Sequence, residues 1–278
     1  DEFVEWLKVF GPKRKRPFKI GWSHNAADLA GSVPTKGFSK NADQVLSKIS
    51  KSPTFLMVGT IEPRKGQLQT LQAFEKMWAN GEDINLVMVG KHGWNVDLLV
   101  EIIRTHSELN KRLFWLEGIS DEYLEKVYSA STCLIAASEG EGFGLPLIEA
   151  AQHQLPIIAR DIPVFREVAG EHAFYFSGLT PDALADGVQA WLALDKAGEA
   201  PQSCSMPWLT WKQSTQNLMN VILGGQWYKQ WMPEDVRRFW GGDARLATKV
   251  GRRSGQHIES TGLAGHLIFG PYIPLDAG

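Results

Sequence analysis

From residue 53 onward, compact apolar runs alternate with stretches in which apolar residues recur every three or four positions. The runs at 54–58, 85–89, 113–116, 133–136, 157–159 and 173–176 are the length of strands, and their lack of in-out alternation predicts burial on both faces. Between them, Leu68, Leu71, Phe74 and Trp78 sit at helical spacing after the first run, and 96–103 repeats that pattern after the second. Ser120 is placed to cap a helix reaching about Ala130, with Asp121 and Glu122 in its first turn. Further helices are predicted over 146–153, 164–169, 181–194 and 211–223, the third with Leu184, Val188, Trp191 and Leu192 on one side. Six apolar strands alternating with helices predict an α/β fold, a doubly wound parallel sheet of the Rossmann-like kind. Ligands of such sheets bind beyond the carboxyl ends of the strands, so the loops 59–66, 90–95, 117–120 and 137–144 should share one rim.

The flanks read differently. Residues 3–10 are amphipathic and lead into the basic run 13–16, which either touches phosphates or is a solvated linker. Residues 20–28 and 32–36 show no sustained period, and a short helix follows at 42–49. After Gly224 and Gly225 the alternation stops, and 225–278 is rich in tryptophan (Trp227, Trp231, Trp240) and arginine, predicting a non-regular C-terminal extension. Its aromatics either stack on sugar rings or pack against the preceding domain. The division expected is 1–50, 51–224 and 225–278.

Composition narrows the partners. A formal charge of −2 over 278 residues gives no reason to invoke nucleic acid or an anionic surface. The two cysteines, Cys133 and Cys204, allow at most one disulfide. Cys133 lies inside an apolar run, where a buried free thiol fits a reducing, cytoplasmic setting. No apolar run approaches the roughly 20 residues of a membrane span. The seven histidines are scattered, His153 and His172 read as structural, and no metal site is expected. Starting at Asp1 and stopping soon after the apolar stretch 267–273, the chain reads as a piece of a longer polypeptide.

The chemistry concentrates in residues 138–149, S-E-G-E-G-F-G-L-P-L-I-E. Glycines at 140, 142 and 144 permit positive φ and leave backbone N–H groups uncovered, and Pro146 suits a first helical turn. Amides converging at a helix N-terminus hold phosphate groups. Glu149, read as still in the first turn, is placed to reach ribose hydroxyls, and Glu141 to face whatever lies beyond the phosphate. A bland alternative is a glycine-rich turn whose acids merely favour a helix start. The loop 59–66, G-T-I-E-P-R-K-G, tips the balance: Arg64 and Lys65 open a helix, where a positive charge is unfavourable unless an anion is present.

The pairing of V-G-T-I-E-P-R-K-G (58–66) with S-E-G-E-G-F-G-L-P-L-I-E-A (138–150) resembles the donor-binding, C-terminal half of retaining GT-B glycosyltransferases of the large family that includes bacterial mannosyltransferases. V-G-K-H-G-W at 89–94, G-I-S-D-E-Y-L at 118–124 and A-R-D-I-P-V-F-R-E-V at 159–168 follow in the family's order, and the resemblance covers roughly 53–223. It implies that Glu141 contacts the transferred sugar, with Lys65 and Arg64 on the diphosphate as the catalytic cations. It places Glu149 on the ribose, the amides of Gly142, Phe143, Gly144 and Leu145 around the phosphates, and the backbone of Gly118 and Ile119 on the base. Gly59, Thr60 and Lys91 complete the donor side. Thr60 departs from the arginine of many relatives, with Arg64 as its substitute.

The resemblance further implies hexose transfer, of mannose or a related sugar, from a nucleoside diphosphate to a growing polysaccharide or O-antigen-type glycan. The E-P-R-K variant favours a GDP-sugar, and the family needs no cofactor or metal. The acceptor, a glycan or lipid-linked sugar, would be held by an N-terminal domain absent from this chain, at the inner face of the membrane. The helix at 211–223 resembles one that packs on that domain, and the tail from Thr261 resembles the start of a small β module. The rival expectation is a non-catalytic nucleotide-sugar-binding or scaffold module.

Overall fold

The structure is a computed structural model that describes residues 18–27, 37–231, 251–254 and 257–260, together with Glu5 and Val9. In chain order its elements are β1 (Phe18–Ile20), α1 (Ala42–Ile49), β2 (Thr54–Val58), α2 (Gln67–Ala79), β3 (Asn85–Val89) and α3 (Asp97–Thr105). Next come β4 (Leu113–Leu116), α4 (Asp121–Ala130), β5 (Cys133–Ala136), α5 (Leu145–Gln152), β6 (Ile157–Arg160) and α6 (Pro163–Ala169). The remainder are β7 (Phe174–Phe176), α7 (Pro181–Ala197), α8 (Trp211–Ile222), β8 (Lys229–Trp231), β9 (Gly251–Ser254) and β10 (His257–Ser260). They divide into two compact units, one of Ser23–Asn220 and one of Asp1–Trp22 with Val221–Gly278.

In the larger unit six strands form one parallel sheet in the order β4-β3-β2-β5-β6-β7. Successive residues of β2 divide between its faces, as a pleated strand requires. Phe55 and Met57 join the core under α2, α3 and α7, with Leu71, Phe74, Ile103, Val188 and Trp191. Leu56 joins the opposite core under α1, α4, α5 and α6, with Ile49, Val127, Tyr128, Ile148 and Phe165. Helices on both faces make the sheet doubly wound, as the apolar runs predict.

Helix ends follow local chemistry. The Ser120 side chain accepts a hydrogen bond from the Tyr123 N–H, the expected cap of α4. Thr180 caps α7 in the same way, through the Ala183 N–H, and Gly198 ends that helix in a left-handed conformation. Helix α5 begins at Leu145 behind Gly144, whose φ of 94° sets the start one residue earlier than the sequence suggests and leaves Pro146 second.

The smaller unit contains two short antiparallel pairs, β1 with β8 and β9 with β10. Strands β9 (G-R-R-S) and β10 (H-I-E-S) carry no apolar alternation, so pairing rather than pattern defines them. Lys19 Nζ lies 5.4 Å from the Trp227 ring centroid. The basic run 13–16, the segment 32–36, Trp240 and the tail from Thr261 fall outside the described residues.

Candidate functional site

The chain leaves β2 for β3 on one side and β5 for β6 on the other, so the loops after these two neighbouring strands part at the sheet's carboxyl edge. That switch point is where open α/β sheets form their ligand crevice. Both loops are built to meet there. Pro63–Lys65 forms a 3-10 turn that Gly66 ends with φ 75°. A Cβ on Gly66 would stand 2.4 Å from the Ala137 carbonyl oxygen, so only glycine lets the first loop lie against the second. The Glu139 N–H donates to the Arg64 carbonyl at 2.8 Å and ties the two backbones.

Three charged side chains converge at this seam. Lys65 Nζ donates to Glu141 Oε1, Ser138 Oγ donates to the same oxygen at 2.9 Å, and an Arg64 guanidinium nitrogen reaches Glu141 Oε2 at 3.2 Å. The same nitrogen donates to the Gly140 carbonyl at 2.8 Å, and the guanidinium also pairs with Glu62 at 3.1 Å. Lys65 and Glu141 are 16% and 11% exposed, against 46% for Arg64, so the lysine pair is the shielded one. Burial pushes the Glu141 carboxyl up, but the hydrogen bond and charge of Lys65, with Ser138 and Arg64, hold it below its ordinary value.

Beside these charges lies a small open cleft, lined in part by Val58, Lys65, Gln67, Ser138, Glu141, Gly144 and Phe165. Among the described residues no side chain caps α5; Pro146 has no N–H to offer, and the Leu147 N–H donates to the Gly144 carbonyl at 3.0 Å. Gly144 adopts positive φ, but Gly140 and Gly142 do not, which corrects the conformational reading of those two glycines. A Cβ on either would meet nothing within 4 Å: their backbone is open rather than strained.

Arg160, at the end of β6, latches the loop from beneath. It is 5% exposed and donates to the Ala137 carbonyl at 2.8 Å, the Ser138 carbonyl at 3.2 Å, the Gly178 carbonyl and the Gln69 side-chain oxygen. Gln67, 3% exposed, lines the cleft and donates to the Thr60 carbonyl at 3.0 Å, while its own side-chain oxygen is buried with no hydrogen-bond partner among the described residues. Neither residue's position is legible in the sequence: Arg160 falls inside A-R-D-I-P-V-F-R-E-V (159–168), and Gln67 opens α2 with no local signal of its partner.

Glu149 lies apart from the cleft lining. As the fifth residue of α5 it is past the first turn, where the sequence placed it, and its carboxylate accepts a 2.6 Å hydrogen bond from the Tyr128 hydroxyl. Burial holds the Glu149 carboxyl above its ordinary value against that bond. Tyr128, fully buried in α4, also stacks on His153 at 5.1 Å and 2°. The other predicted residues are spread along the rim. Gly59 takes φ 142° and Gly118 φ 64°. The Lys91 carbonyl accepts from the Ile61 N–H at 2.9 Å, joining the loops after β2 and β3. Ile119 packs on the α4 side of the sheet, and the Phe143 ring lies 5.7 Å from His24. Of the predicted residues Lys65, Glu141 and Gly144 line the cleft, while Arg64, Gly59, Thr60, Lys91, Gly118, Ile119, Gly142, Phe143, Leu145 and Glu149 do not. Among the described residues no group of three or more His, Cys, Asp or Glu is placed to hold a metal, and no helix is long and apolar enough to cross a membrane.

Comparison with known proteins gives one consistent answer. A family model described as "Glycosyl transferases group 1" matches residues 38–205. The serotype-specific mannosyltransferase WbdA of Escherichia coli is 57% identical over 199 residues, covering 72% of this chain and 24% of that protein. The O-antigen chain mannosyltransferase RfbU of Salmonella typhimurium is 31% identical over 137 residues, 49% of this chain and 38% of the relative. The chain therefore spans about a quarter of the length of the WbdA relatives it matches. Among solved structures, sucrose-phosphate synthase from Thermosynechococcus elongatus shares the fold with a TM-score of 0.54 at 23% identity, over 72% of this chain and 51% of that one.

Proposed function

Because the chain belongs to the group 1 glycosyl transferase family, we propose that its larger unit holds a nucleoside-diphosphate sugar where the loops after β2 and β5 part. The observation that carries this reading is the convergence of Lys65 and Arg64 on Glu141, beside the uncapped N-terminus of α5. Two cations and a set of helix-end amides suit a diphosphate, and one carboxylate among them suits the sugar. The amides of Gly142, Phe143, Gly144 and Leu145 take the phosphates, Glu149 the ribose, and the backbone at Gly118 and Ile119 the base. Gly59, Thr60 and Lys91 form the facing rim. Identity to mannosyltransferases, one of them an O-antigen chain enzyme, supports mannose as the sugar and an O-antigen-type glycan as acceptor; GDP is proposed as the carrier from the E-P-R-K loop alone.

The reaction assigned is transfer with retention at the sugar's C1. The bond from C1 to the diphosphate oxygen breaks, the acceptor hydroxyl oxygen bonds C1 on the same face, and its proton passes to the departing diphosphate. Lys65, Arg64 and the α5 amides stabilise the charge growing on that leaving group, so no protein nucleophile is needed. In this reading residues 51–224 are the nucleotide-sugar-binding domain, 1–50 the interdomain connection and the start of the donor half, to which α1 belongs, and 225–278 an extension. The acceptor is brought by an N-terminal domain of the same polypeptide, at the cytoplasmic face of the membrane.

Calorimetric titration with GDP, UDP and ADP tests the site. Binding of GDP, weakened in Lys65→Ala and Glu149→Ala, is the expected result, and unchanged affinity in both variants would sink the assignment. A longer polypeptide that binds GDP-mannose yet forms no glycoside with O-antigen acceptors would favour a binding or scaffold module instead.

A further inference from the structure

We infer that Tyr128 is a positioning residue for the donor: its buried hydroxyl fixes the Glu149 carboxylate so that one oxygen is occupied internally and the other is left for a ligand hydroxyl pair. This rests on the proposed ribose role of Glu149. The geometry behind it has three parts. The Tyr128 hydroxyl donates to Glu149 Oε2 at 2.6 Å, linking α4 to α5 across 21 residues of sequence. The tyrosine ring has no freedom to leave, being fully buried in the core and stacked on His153 at an interplanar angle of 2°. Among the described residues no cation pairs with Glu149; its hydrogen bond comes from a neutral phenol, in surroundings that disfavour its charge.

A glutamate has three rotatable bonds, and ordering such a side chain on binding takes about 0.5–1.5 kcal/mol from affinity. A phenol anchored in the core performs that ordering before the ligand arrives. It also favours the ionised carboxylate that a ribose diol, a two-fold donor, needs as its acceptor. A cation in the same place would neutralise the carboxylate and weaken it as an acceptor. A neutral donor leaves the charge available.

The test is the preference for ribose over deoxyribose. The chain is titrated with GDP and with 2′-deoxy- and 3′-deoxy-GDP, in wild type, Tyr128→Phe, Glu149→Gln and the double variant. Wild type should prefer GDP by about tenfold or more, the usual size of a hydrogen bond to a charged group. Y128F keeps the ring and should lower that preference several-fold while leaving deoxynucleotide affinity unchanged. In the E149Q background the same change should have no further effect. Loss of affinity for ribo and deoxy forms alike in Y128F would make Tyr128 merely structural and overturn the inference. Absence of any GDP binding, or of any ribose preference in wild type, would instead defeat the reading of the site on which it rests. Should Y128F fail to fold, the wild-type Tyr128 hydroxyl proton carries the test. It should give a slowly exchanging low-field NMR signal, moved upfield in E149Q, where the acceptor is a neutral amide oxygen, and displaced by GDP more than by deoxy-GDP. Equal displacement by both would overturn the inference.

Discussion

Lys65 and Glu141, 76 residues apart in sequence, form a shielded ion pair between the loops that follow two neighbouring strands. Without a ligand the crevice thus carries its own counter-ion: Glu141 engages both cations proposed for the diphosphate. A nucleotide must take Lys65 and Arg64 over from that carboxylate. Lys65→Ala should therefore weaken GDP binding by about tenfold or more, the scale of a charge-assisted hydrogen bond. Arg64→Ala should have a smaller effect, because its guanidinium is half exposed and shared with Glu62. Isothermal titration calorimetry at fixed salt measures both.

Glu141→Gln should do the opposite to product binding. With the internal anion removed, GDP should bind several-fold more tightly, while sugar transfer by the longer polypeptide falls. Equal or weaker GDP binding in E141Q would show that Glu141 does not compete for these cations. The pair has a pH signature as well. Since the folded carboxyl is held below its ordinary value, its contribution to stability is present above the unfolded pKa and is lost as pH falls through the folded one. The stability gap between wild type and E141Q should close in acid, as read by denaturant melts across that range.

Glu149 has the reverse sign. Burial raises its folded pKa, so the stability it contributes is full below the unfolded carboxylate pKa and is lost as pH rises through the folded value. Glu149→Gln should accordingly gain on the wild type in thermal stability as pH rises from acid to neutral, while losing nucleotide affinity. Parallel melting curves at all pH values would contradict it.

The glycines of the turn should separate by role. Gly144→Ala forces an L-residue into φ 94° and brings a Cβ to 3.0 Å from the Phe165 ring, which should destabilise the chain by about 1–2 kcal/mol. Gly142→Ala meets nothing within 4 Å and should leave stability within about 0.5 kcal/mol. Any loss of GDP affinity in G142A then reports on how closely the ligand approaches the backbone.

Arg160→Met should be the most damaging of these changes, by about 3 kcal/mol or more, because it leaves the Ala137, Ser138 and Gln69 oxygens without the buried donor they share. Urea titration gives the loss directly.

The contrast between Arg160 and β2 shows what the sequence could convey. Strand β2 is legible because both its faces are buried, so Phe55, Leu56 and Met57 form an unbroken apolar run. The cap at Ser120 is legible because the hydrogen bond spans three residues. Arg160 follows a similar run and reads as the point where a strand meets solvent; its partners lie at 69, 137, 138 and 178, gathered only by the closed sheet. Tyr128 is hidden for a related reason: at an apolar position of α4, its ring accounts for the residue and its hydroxyl leaves no trace in the pattern. Lys65 and Glu141 are each legible on loops expected to share one rim, but not their pairing, since nothing local encodes that β2 and β5 are neighbours.

The hydrogen bond from the Glu139 N–H to the Arg64 carbonyl has an evolutionary consequence. Position 64 serves the crevice twice, through a main-chain oxygen that any amino acid supplies and through a guanidinium that only arginine does. Descendants of this gene can therefore replace the side chain, recharge it or remove it while the joint between the two loops survives. A lineage in search of a new substrate has, at this point, a place to vary that does not endanger the scaffold.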